Sequence, residues 1–408
     1  MSAVQLADVA LLTSADGRRL LAELLPYDDR TALATGERLR RAGHPPALVT
    51  AALTQNRLRT RVAQRWGPAG AALLPHLLLT VDGAEQAPRP TVAALRAARF
   101  GRLGIGSSVA DLGCGIGIDA LALANVGLDI AALDRDPVTA AVATANVEAS
   151  GHSDRVTVTS IDVQEQRDPT WSRYDAAFAD PARRLNGRRL TRPESWSPPL
   201  SWVLALPVTN LGVKVAPGLD RDLVPAGTEF SVVSDGGAVV EAALYRGALR
   251  DGALSRSATL LPAGARITDA DLTEAAPPIR SIGEYLHEPD GAVIRAGLVA
   301  AVAMGVDGWL LDPRIAYVST DAEVASPFLA SYRVLDVMPF SLKRLRGYLR
   351  IHGVGHVVIK KRGSAVDVDE LRRSLRLERT ASERRIIVLT RIGVDPIVAV
   401  CLAQEPAL

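Results

Sequence analysis

Residues 109–117 read Val-Ala-Asp-Leu-Gly-Cys-Gly-Ile-Gly, and no other stretch narrows the fold as much. A short apolar run ends at Asp111-Leu112, glycines follow at 113, 115 and 117, and a new apolar segment opens near Ile118. This is the pattern of a strand, a tight turn and a helix. Glycine has no Cβ, so the turn can take positive φ and a ligand can lie against its backbone. The helix start adds unpaired amides and a positive dipole end, which together suit an anion.

Two details specify the ligand. Dinucleotide-binding turns space their glycines G-x-G-x-x-G, whereas here the third glycine comes one residue early and Ile118 holds the last position. Asp111 also stands two residues before the first glycine, where a carboxylate can hold an ammonium but would sit badly beside pyrophosphate. Asp111, Gly113, Gly115 and Gly117 are therefore expected to bind the amino-acid end of S-adenosylmethionine. Asp134, ending the next apolar run, is placed to accept from ribose hydroxyls. Asp162, after a third run, can accept from the adenine amine or be a surface loop acid. Asp136, followed by Pro137, reads as a helix N-cap, and Cys114 as a small packing residue.

Residues 1–88 read as a helical domain, with helical spacing over 19–25 and 47–66. From 89 to 250, strands at 108–112, 129–133, 155–160, 174–179 and 210–215 alternate with helices, the mark of a parallel α/β sheet. Two further strands, 229–234 and 238–245, flank Asp235-Gly236-Gly237, a hairpin signal. Residues 251–330 read as a linker, rich in Gly, Ala, Ser and Pro to about 280, and an α/β extension. Residues 331–408 read as a mixed α+β domain.

The fourth strand ends in Asp180-Pro181-Ala182-Arg183-Arg184. In an open parallel sheet that end faces the ligand crevice. Asp180 and the carbonyl of Pro181 can accept hydrogen bonds from an amino group and aim its lone pair, and Asp180 can take the released proton. These two are the expected catalytic residues. Asp180-Pro181 resembles the start of the motif of nucleic-acid amino-methyltransferases, and that resemblance makes Arg183, Arg184 and Trp196 candidates to stack on a substrate base, with loop packing the alternative for Trp196. The local Arg cluster suits phosphates or is an exposed loop. A cysteine nucleophile for carbon methylation has no candidate, since Cys401 lies in an apolar strand.

Residues 331–408 carry 15 basic and 8 acidic residues, net +7, which leaves −5 on the rest of a chain of net +2. That asymmetry points to an anionic partner. Lys343, Arg346 and Arg350 are expected on one exposed helix face, with Lys360, Lys361 and Arg362 at a strand end. Two cysteines cannot build a disulfide framework or a zinc site, so no metal is expected. No apolar run is long enough for a membrane helix and no secretion signal opens the chain, so a cytoplasmic location is expected. Oligomeric state is not encoded in any pattern seen.

Several stretches resemble a bacterial family of class I methyltransferases with a C-terminal THUMP-like domain: 111–117, 178–184, Val213-Lys214-Val215-Ala216-Pro217-Gly218-Leu219-Asp220, 284–290, 294–298 and 359–363. The catalytic half is also similar to the trimethylguanosine synthase group, although Ala182 and Arg183 replace that group's second proline and aromatic. The resemblance implies a Rossmann-like, seven-stranded α/β sheet after an N-terminal helical domain. It implies S-adenosylmethionine as cofactor and RNA, tRNA or rRNA, methylated on a base nitrogen. A small-molecule or protein acceptor, and a non-catalytic RNA-binding module, are the alternative readings.

Overall fold

Side-chain period and capping account for the order of elements. The computed structural model describes residues 4–24, 26–166, 170–185, 188–378 and 380–404. Four helices come first: α1 (Leu6–Thr13), α2 (Ala15–Glu23), α3 (Ala32–Arg41) and α4 (Pro46–Ala71), the last kinked at Gly67, where φ is 72°. α1, α2 and α3 pack on α4, burying Leu12, Leu20, Leu39, Leu48 and Leu58. α5 (Val81–Gln86) and α6 (Pro90–Phe100) follow. α5 lies outside the stretches of helical spacing, because six residues are too few to show a helical period.

The chain then alternates as expected: β1 (Ser108–Leu112), α7 (Ile118–Asn125), β2 (Asp129–Asp134), α8 (Pro137–Ala149), β3 (Val156–Ser160) and β4 (Ala176–Ala179). A two-residue ribbon, β5 (Arg184–Leu185) and β6 (Arg188–Arg189), precedes α9 (Leu200–Leu204) and β7 (Asn210–Val215). All four neighbouring pairs among β1, β2, β3, β4 and β7 are parallel, in the order β7-β4-β1-β2-β3. The order reverses at β1, which places a crevice at the carboxyl ends of β1 and β4. The strand residues of β1 and β4 are almost wholly buried, as a sheet covered on both faces requires.

The described chain divides into two compact units, 1–228 with 243–253, and 229–242 with 254–408. β8 (Glu229–Asp235) and β9 (Ala238–Arg246) meet at Gly236-Gly237, with φ of 61° and 78°. Beyond the expected seven strands come β10 (Arg256–Leu261), parallel to β8, and β11 (Ala265–Thr268), antiparallel to β10. They lie in the stretch read as a linker, where small and polar residues conceal the strand period. β12 (Tyr285–Pro289), α10 (Gly291–Ala296), α11 (Val299–Gly305), β13 (Trp309–Asp312), β14 (Ile315–Thr320) and β15 (Leu329–Pro339) follow. The chain closes with α12 (Leu342–Ile351), β16 (Val354–Lys361), α13 (Val368–Leu375), β17 (Glu383–Ile392) and β18 (Asp395–Ala403). Their seven strands order as β13-β14-β12-β15-β18-β17-β16.

Strand alternation gives this second sheet two buried faces. Ile387, Leu389, Val398 and Val400 pack with Leu345 and Leu349 of α12 and Leu371 and Leu375 of α13. The alternate residues Ile386, Val388, Ala399 and Cys401 pack with Leu286, Leu311, Tyr317 and Tyr332. The sheet curls so that charges from its two ends meet. Glu288 pairs with Lys360 at 2.8 Å and Arg362 at 3.2 Å, and Asp312 pairs with Arg391 at 3.2 Å.

Candidate active site

The turn between β1 and α7 has the conformation its glycines allow. Gly113, Gly115 and Gly117 have φ of 82°, 56° and 86°, all in the left-handed region. The amides of Gly113 and Cys114 donate to the carbonyl of Leu133 at 2.8 and 3.0 Å, anchoring the turn to β2. A Cβ on Gly113 would lie 3.2 Å from the carbonyl oxygen of Asp180. A Cβ on Gly115 would meet nothing within 4 Å, so that peptide faces open space.

Asp111 is buried beneath this turn, 1% exposed, and neither carboxylate oxygen has a hydrogen-bond partner among the described residues. Burial pushes its carboxyl up to about 7, against the opposing pull of Arg96 and helped by Asp180 and Asp134. An acid left this way is unusual, because a buried carboxylate without partners is costly. Asp134 is better provided: its Oδ2 accepts from the amide of Gly115 and its Oδ1 from that of Asp136, both at 3.0 Å. Burial raises its carboxyl and those two amides oppose the rise.

Two cations stand among the acids. Arg96, 2% exposed on α6, pairs with Asp119 in the first turn of α7 and lies 4.4 Å over the ring of Phe178. Lys214, at the carboxyl end of β7, places its ammonium 2.7 Å from Oδ2 of Asp180. Counting Asp136 and Arg135, which also act on Asp134, the acids among the described residues here still outnumber the cations, and the crevice is negative when all are ionised. A ligand carrying a sulfonium and an ammonium suits it; pyrophosphate does not. Asp111's unpartnered oxygens and the open face of Gly115 fit the amino-acid end of S-adenosylmethionine.

An uncharacterized S-adenosylmethionine-dependent methyltransferase of Mycobacterium tuberculosis, found in two strains, is 33% identical over 360 residues, 87% of this chain and 95% of the relative. The chain belongs to the S-adenosylmethionine-dependent methyltransferases. Family models for ribosomal protein L11 methyltransferase (PrmA), a THUMP domain-like module and a domain of unknown function match residues 95–179, 329–403 and 5–62. The crystal structure of a candidate methyltransferase from Porphyromonas gingivalis W83 shares the fold, with a TM-score of 0.72 at 21% identity, covering 93% of this chain and all of that one.

Within this methyltransferase the other expected site residues divide. Asp136 caps α8 through the amides of Val138 and Thr139, and burial pushes the Cys114 thiol well up, so both are structural as expected. Asp162 is half-buried and accepts from the amide of Gln164 at 3.0 Å. Pro181 is buried behind Asp180, and the amide of Asp180 donates to Leu112 at 3.2 Å.

Trp196 departs from its expected stacking role. It is 2% exposed, its indole N–H donates to the carbonyl of Leu190, and Arg183 lies 5.9 Å over its ring. It packs the loop, as a tryptophan among prolines usually does. The side chain of Arg184 lies outside the described residues.

In the second unit Lys343 and Arg350 are exposed, but Arg346 donates its Nε to the carbonyl of Ser374 on α13. Lys360 and Arg362 are held by Glu288, and Lys361 donates to the carbonyl of Val366 at 3.0 Å. Glu288, which lies far away in sequence, thus offsets part of the charge of Lys360 and Arg362. Among the described residues no group of three or more His, Cys, Asp or Glu could hold a metal ion, and no helix is long and apolar enough to cross a membrane.

Proposed function

We propose that this methyltransferase acts on a nitrogen of an RNA base, and that Asp180 receives the acceptor amine. The observation that carries the reading is the half-committed carboxylate of Asp180. Lys214 holds Oδ2, while Asp180 stands at the carboxyl end of β4, beside the cofactor turn, with its side chain 26% exposed. When bound, S-adenosylmethionine supplies a methyl group activated on a sulfonium. The chain's own part is orientation: Asp180 and the carbonyl of Pro181 accept the amine's protons and aim its lone pair. Exposed Arg188 and Arg189 on the ribbon that follows β4, and the THUMP domain-like match at 329–403, support an RNA acceptor.

Tritiated methyl transfer from the cofactor to RNA of a strain lacking the gene tests the proposal. Incorporation into RNA, weakening steeply as salt rises, is expected. Incorporation only into protein or a metabolite overturns it. A small-molecule or protein acceptor is the second reading, favoured by the internal engagement of Arg346, Lys360 and Arg362, and predicts activity nearly indifferent to salt.

Lys214 gives a separate prediction. Lys214→Met should lower kcat by roughly 10- to 100-fold, because Asp180 loses the partner that fixes its geometry. Lys214→Arg should recover little, since the planar guanidinium does not fit a site built for a compact ammonium. Steady-state kinetics of the two variants check this.

A further inference from the structure

The segment 77–80, between α4 and α5, is extended, and side chains satisfy its peptide groups. The carbonyl of Leu77 accepts from Arg59 Nε and Nη2 at 3.0 and 2.8 Å. Leu79 donates to Gln55 Oε1 at 2.9 Å and accepts from Gln55 Nε2 at 2.8 Å. Leu78 makes the same two-way pair with Asn146 of α8, at 2.6 and 3.0 Å. Asn146 is wholly buried, and its Nδ2 donates a second hydrogen bond, 2.8 Å long, to the carbonyl of Ile116. Ile116 is the residue between Gly115 and Gly117. One amide side chain thus ties the cofactor turn to the N-terminal segment, with each of its polar atoms engaged.

A second contact reaches the same residue independently. Thr80 caps α5 by accepting from the amide of Gly83 at 2.9 Å, and a Cβ on Gly83 would lie 2.5 Å from Cγ2 of Ile116. The helix can approach the turn this closely only because residue 83 is glycine.

We propose that the N-terminal helical layer is a working part of the cofactor site, with Asn146 and Gly83 as positioning residues that hold the turn at Ile116 in its binding shape. A turn of three glycines has little side-chain bulk to fix its own backbone, and its anchors to β2 hold one side alone. Asn146 and α5 hold the other. Coupling of this kind is reciprocal: what shapes the turn for the cofactor is itself steadied when the cofactor binds. Asn146 and Gly83 would hold the turn whichever acceptor the enzyme methylates.

The test uses the full chain and S-adenosylhomocysteine. Asn146→Ala and Gly83→Ala, titrated well below their melting temperatures, should each bind it about tenfold more weakly, within the range of typical coupling energies. Adding Ile116→Ala to Gly83→Ala should recover part of the loss by making room for the new methyl, a rescue that general destabilisation would not give. In the unaltered protein, S-adenosylhomocysteine should slow hydrogen exchange in peptides covering 77–80, and Asn146→Ala should remove that protection. Folded variants with unchanged affinity, or exchange at 77–80 indifferent to the ligand, would overturn the proposal.

Discussion

Asp111→Asn is expected to abolish tight cofactor binding while making the ligand-free protein more stable. Both effects come from one buried carboxylate with no partner of its own. Its carboxyl is raised from 3.8 to about 7, so the fold binds its proton more tightly than the unfolded chain does. For such an acid the fold is favoured at low pH, and stability falls as pH rises from about 4 towards 7. Above that window the full penalty stands, on the order of a few kcal/mol, and Asn removes it. The same substitution removes the charge proposed to hold the cofactor's ammonium, and binding should weaken roughly 100-fold or more. Thermal melts of the two ligand-free proteins at pH 8, with calorimetric titrations of each, check both halves. A variant that is less stable and still binds would contradict them.

The same carboxyl makes cofactor affinity depend on pH. Only the ionised form holds an ammonium, so affinity should rise about tenfold between pH 6 and pH 8 and then level off. Asp111→Asn should flatten that dependence.

Asp180→Asn is expected to remove nearly all methyl transfer, about 100- to 10,000-fold in kcat, and leave cofactor affinity within about threefold. Asparagine keeps an oxygen for Lys214, so the ammonium is not stranded, but turns an N–H towards the acceptor where a lone pair is needed. Losing the charge of Asp180 also relieves Asp111, whose carboxyl it pushes up, so cofactor binding should not suffer. Equal losses of binding and turnover would show that Asp180 serves the cofactor and not the acceptor.

Residues placed at the ends of strands are legible in the sequence. Asp111, Asp134 and Asp180 each terminate an apolar run, and a parallel sheet carries all such ends to one edge. The glycine turn was legible for the same reason. Arg96, Asp119 and Lys214 were not, because pairing across elements leaves no periodic trace. Lys214 did leave a compositional one: it is one of only four lysines among 47 basic residues, so a lysine in this arginine-rich chain marks a place where a compact charge is wanted. The partners of Lys360, Arg362 and Arg346 leave no trace in the sequence either: Glu288 and Ser374 lie far off along the chain, and only the fold brings them together. Asn146 and Gly83 carried no signal, since an asparagine inside a helix and a glycine in a short connection are both common.

We propose that Asp111 grasps the amino group of the cofactor's amino-acid end beneath the glycine turn. Comparing two ligands tests it most directly: S-adenosylhomocysteine, which carries that group, and methylthioadenosine, which lacks it. Asp111→Asn should weaken the first roughly 100-fold and leave the second within about threefold. Equal weakening of both, or of neither, would contradict the assignment.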